Sequence, residues 1–146
     1  LDFDQIIINT LENRIEEIIK GIEAETPLSI IFLCGSTLEG ILLGKAKRYP
    51  KIYNECRCSP KQENGKVKKL SLWTLNDLIN SSFEIGLIDA DLKKFSHVLR
   101  DFRNYIHPFE QISSGFNPNM DTAILCWQVL QMAVSQVRDN LKVMRT

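Results

Sequence analysis

Histidine is scarce in this chain: His97 and His107 are the only two among 146 residues. Any imidazole-based site must be built on one of them, or on copies brought together by a second subunit. Cysteine is sparse too, and four thiols at positions 34, 56, 58 and 126 make a poor disulfide framework for a domain of this size. Cys56 and Cys58 in "ECRCSP" have no second pair and no histidine nearby, which is poor zinc spacing. Cys34 and Cys126 sit inside apolar runs and read as small buried hydrophobes. A reducing, cytoplasmic setting fits this usage, with no metal and no cofactor expected. Long apolar runs are missing as well. The longest, "PLSIIFLCGSTLEGILLG", is interrupted by Ser, Thr, Glu and Gly, which argues against a membrane span. The start lacks the basic, apolar and small-residue order of a signal peptide. It opens on Leu1 rather than Met, which reads as a processed or excised piece of something longer. No glycine-rich phosphate loop is present, since "CGSTLEG" and "IEAETPLS" lack both the spacing and the lysine.

Net charge is also absent: 18 basic and 18 acidic side chains cancel, so overall charge names no partner. Its distribution is uneven. Residues 1–44 hold 2 basic against 8 acidic side chains, and residues 45–69 hold 9 basic against 2 acidic. The second stretch is compatible with a polyanion contact, and equally with a solvated lysine-rich loop. Within it, Lys66, Lys68 and Lys69 are the candidate polyanion-binding residues.

What is present is helical period. At 146 residues the chain is long enough for one domain with a core of its own. Ile7, Ile8, Leu11, Ile15, Ile18, Ile19 and Ile22 recur at threes and fours and predict a first helix. A second starts near Ser29, after Pro27, and is apolar around most of its circumference, so it belongs at the centre. Residues 49–70 carry two prolines and an "ENGK" turn signal, and read as one long irregular connection with a short hairpin at Asn64 and Gly65. "SLWTLNDLINSSFEIG" predicts a third helix capped by Ser71, with Leu72, Leu75, Leu78, Ile79 and Phe83 inward. The fourth begins at Asp89 or Asp91 and stops at Pro108. After "SSGFNPNM" the fifth carries a stripe from Ala123 to Leu141. The expectation is an all-α, five-helix bundle with one irregular insertion and no internal repeat.

The fourth helix gathers the chemistry. At about 100° per residue, Arg100, Arg103, Asn104 and His107 share one stripe. Leu92, Phe95, Val98, Leu99, Phe102, Tyr105 and Ile106 take most of the rest, so the polar stripe is expected to point away from the bundle. Guanidinium forks match phosphate oxygens, and an imidazole can move a proton near neutral pH. Asparagine can orient a water, a hydroxyl or the ring. Such a set suits metal-free RNA cleavage, with the imidazole as acid or base and a guanidinium facing the charge that builds on phosphorus. One stripe supplies one imidazole; a two-fold dimer would supply two. His97 reads as a surface histidine. Basic residues in a last turn also suit the helix dipole, a plainer role for the same positions.

These segments resemble a known family. "LRDFRNYIHP", preceded by "LWTLNDLI" and "GLID", is similar to the C-terminal half of HEPN domains (higher eukaryotes and prokaryotes nucleotide-binding), and "LCGSTLEGILL" to their small-residue-plus-LE helix. The likeness spans roughly residues 30 to 111. It implies a helical bundle, commonly a homodimer, and in many members a metal-independent ribonuclease of toxin–antitoxin or antiviral systems. Others are inactive RNA-binding or interaction modules. The family signature is an Arg, then a polar residue, with a His after four to six intervening positions. From Arg100 the follower is Asp101, and six residues precede His107; from Arg103 the follower is Asn104, and three intervene. The resemblance therefore assigns Arg100, Arg103, Asn104 and His107 to catalysis and leaves open which arginine works. Its partners would be RNA, an antitoxin or a larger parent protein, with no membrane. The competing class is a helical interaction module whose arginines pair across a protein interface.

Overall fold

The computed structural model describes residues 1–140. Among them the chain is all-helical: α1 (Gln5–Glu23), α2 (Pro27–Arg48), α3 (Pro50–Asn54), α4 (Leu75–Glu84), α5 (Ala90–Tyr105), α6 (Pro108–Ser114) and α7 (Met120–Asp139). Leu141, the last residue of the expected fifth stripe, lies outside the described residues.

α2 is the centre. Pro27 opens it at a position where a missing N–H costs nothing. Ile30, Ile31, Cys34, Leu38, Ile41, Leu42 and Ala46 are all essentially inaccessible. It packs most extensively against α7 and α1, and also meets α4 and α5. By length and composition α2 could cross a membrane; in this fold its apolar surface is what the other helices bury.

The helix count departs from the expected five. α3 lies inside the stretch read as irregular, where Pro50 at the first helical position starts a turn. That turn drives Tyr53 fully into the core, with its hydroxyl 2.8 Å from Ser82 Oγ. α6 follows Pro108 and ends at Gly115, whose φ of 67° is left-handed. The turn expected at Asn64 and Gly65 forms around a single antiparallel bridge, Lys61 with Val67, and Gly65 has φ 82°.

Two expectations about the third helix fail. Ser71 lies in a 3₁₀ turn, Leu70–Leu72, and does not cap α4. Thr74 does: its hydroxyl accepts from Asp77 N–H, and the Asp77 carboxylate accepts from Thr74 N–H at 2.8 Å. Leu72, expected inward, is 62% exposed, and Phe83 is 37% exposed.

α5 is turned differently from the expected stripe. Its inaccessible residues are Leu92, Ser96 and Leu99, and Arg103 continues that same line at helical spacing. Phe95, Val98 and Tyr105 face solvent instead. The arginines therefore look into grooves against α2 and α4 rather than away from the bundle. Gly35 on α2 makes the room: a Cβ there would stand 2.9 Å from Arg103 Cγ and 3.0 Å from its Cβ.

Candidate functional site

α5 starts at Asp89, whose carboxylate accepts from Leu92 N–H at 2.8 Å. It ends at Ile106 because Pro108 pushes His107 into an extended conformation, φ −61° and ψ 132°. His107 is thus the corner residue between α5 and α6, and it is exposed.

Two open clefts flank this end of α5. The first, about 770 Å³, is lined by Arg103, Asn104 and His107, with Leu28, Phe32 and Leu33 of α2 forming an apolar wall. Glu17 of α1 adds a carboxylate there. The second, about 540 Å³, lies between α2, α5 and the start of α4. Its walls include Glu39, Trp73, Asn76, Arg100, Arg103 and Asn104. Arg103 and Asn104 form the ridge between the clefts, with His107 on one side and Arg100 on the other.

The guanidiniums are engaged. Arg103 Nη2 lies 3.2 Å from Glu39 Oε2, with both side chains about one-third exposed, at 31% and 32%. Arg100 donates from Nη1 to Asn76 Oδ1 at 2.5 Å and from Nη2 to Asp101 Oδ1 at 3.1 Å, and its buried Nε has no hydrogen-bond partner among the described residues. His97 lies within 2.9 Å of Asn80 Oδ1 through Nε2. Burial first, then the cationic Arg100 and Lys93, hold its pKa below the ordinary imidazole value, against a smaller upward pull from Asp101.

The structure brings Arg103, Asn104 and His107 to one cleft, and Arg100, Arg103 and Asn104 to the other. Lys66 and Lys69 are exposed and Lys68 is half-buried, and all three lie outside the walls of both clefts. The loop is nevertheless moored beside the second: the Lys68 carbonyl accepts from Trp73 Nε1–H at 2.9 Å. Cys34 and Cys126 are buried, and burial pushes both thiols up to about 12.

Sequence reasoning missed Glu39, Asn76, Trp73 and Phe32. A signal for Glu39 existed. It follows Gly35 by four residues, so the small residue and the acid share one face of α2. Chemically, the ridge offers two cations, a ring and an amide within reach of a polyanion, while Glu39 and Asp101 oppose that anion. No family model, curated protein or solved structure matches the chain.

Proposed function

We propose that this chain is a HEPN-type protein that contacts RNA along the ridge from Arg100 to His107. In the active form of this reading it cleaves RNA without a metal. The observation that supports it is the convergence of Arg103, Asn104 and His107 on one open cleft at the end of α5. In that cleft the His107 imidazole takes a proton from a ribose 2′-hydroxyl or gives one to the leaving oxygen. Arg103 faces the charge that develops on the phosphate, and Asn104 orients a water or hydroxyl. Arg100 supports from the second cleft. Each subunit brings one such imidazole, so a homodimer that faces two ridges across a groove supplies both acid and base. The setting is then a cytoplasmic toxin or antiviral system, with an antitoxin or a larger parent protein as partner.

The test is hydrolysis of single-stranded RNA with EDTA present. Cleavage by the wild type that is lost in His107→Ala is the expected result. Equal cleavage by both proteins would remove His107 from the chemistry.

A second reading, an inactive helical dimerisation or interaction module, has an observation of its own. Around the first cleft Phe32 is 50% exposed, and on the adjoining α6 Phe109 is 85% and Ile112 78% exposed. An apolar rim of that kind suits a protein surface. In that case the Arg103–Glu39 pair is structural and RNA binding is absent.

A further inference from the structure

We propose that Glu39 is a resident anion that holds Arg103 until an RNA phosphate takes its place, so that the Arg103 guanidinium exchanges one anion for another between the two clefts. The inference rests on the RNA reading above and assigns a role to a residue that reading does not use.

Four observations support it. The Arg103–Glu39 pair is close, at 3.2 Å, yet each side chain keeps about a third of its surface in water, at 31% and 32%. A partly exposed ion pair is weak and open to competition, and a phosphate offers the fork two oxygens. Arg103 lines both clefts, whereas Glu39 lines only the second and His107 only the first. Held by Glu39, the guanidinium is ion-paired with a residue of the cleft that His107 does not line.

The stem, by contrast, is fixed. The site of a Cβ on Gly35 lies 3.0, 2.9 and 3.1 Å from Arg103 Cβ, Cγ and Cδ. Close packing along those three carbons leaves the outer torsions as the ones able to turn. Arg100 is less suited to the exchange, because it is tied to Asn76 and Asp101 on two of its nitrogens. A phosphate that takes Arg103 Nη2 therefore displaces a carboxylate, and the negative charge left on Glu39 then repels the incoming strand. Glu39 lowers affinity for any polyanion and keeps the arginine engaged in its absence.

Fluorescence anisotropy with a short, fully 2′-O-methylated oligonucleotide, which cannot be cleaved, tests this in EDTA. Glu39→Gln should bind about twofold to fivefold tighter than wild type at low salt, with the gain shrinking as salt rises. Glu39→Met, which keeps volume but offers the guanidinium no acceptor, should tighten binding as well. Both gains should be larger with Arg103 present than in the Arg103→Ala background, where only relief of charge repulsion remains; equal gains in the two backgrounds would overturn the exchange. If Arg103→Ala weakens binding while neither Glu39 variant tightens it, the exchange is wrong and the RNA reading stands. If wild type, Arg103→Ala and Arg100→Ala bind alike or not at all, the RNA reading falls and the exchange falls with it.

Discussion

Ser96, Gly35 and Arg103 show at single positions what helical period can and cannot reveal. A wheel groups residues on one face but does not say which face is buried. Counting apolar side chains put Phe95, Val98 and Tyr105 inside. The fold instead buries the narrow line through Leu92, Ser96 and Leu99, because Ser96 is small and Arg103 lays an apolar stem against Gly35. The candidate residues were legible as residue types; their engagement with Glu39 and Asn76 was not, because those partners lie on other helices. His97, read as a surface residue, also has an environment with a measurable consequence. Its pKa is lowered chiefly by burial, with Arg100 and Lys93 adding to the effect. A histidine with a depressed folded pKa contributes stability that is full above its unfolded pKa of about 6.5 and is lost as pH falls through the lower folded value. Thermal melts between neutral and mildly acidic pH should show a smaller drop for His97→Asn than for wild type. Parallel curves would mean that the ring titrates freely.

At the scale of elements, α4 is positioned by its first turn. Ser71 and Thr74 are both acceptable caps by residue type. Only Thr74 has an acid three residues on, Asp77, to close the reciprocal bonds. That pattern is readable from sequence, and it sets where α4 begins and so where Thr74, Leu75 and Asn76 wall the second cleft. Thr74→Ala should cost about 1 kcal/mol in urea denaturation, with the denaturant slope unchanged. A loss within error would show that the turn is held by Trp73 and Leu75, which are buried on either side, rather than by the cap. α3 was legible in a weaker sense. Pro50 suits a helix start, but five residues are too few to carry a period, so length hid it.

Across the whole molecule, charge is separated by position more than by sum. The basic stretch 45–69 contributes Lys66 and Lys69 to solvent, yet its first member, Lys45, is fully buried. Lys45 Nζ donates to the Leu1 carbonyl and stands 4.7 Å from the centre of the Phe3 ring. Composition could locate the positive segment but could not separate a solvated lysine from one enclosed by the N-terminal residues. If the exposed lysines guide RNA toward the ridge, Lys66→Ala, Lys68→Ala and Lys69→Ala combined should weaken binding and reduce its log–log salt slope by up to about 2. An unchanged slope in a titration from low to physiological salt would take the loop off the RNA path.

The corner at His107 and Pro108 has a consequence for how this surface can vary. Arg100 and Arg103 take their positions from the rotation of α5, whereas the imidazole takes its position from a backbone bend and the short helix beyond it. The two halves of the ridge therefore answer to separate mechanical parts. Substitutions that re-aim α6 would swing the imidazole across the opening while the cationic row stayed seated, so reach toward a ligand can be retuned without repacking the bundle.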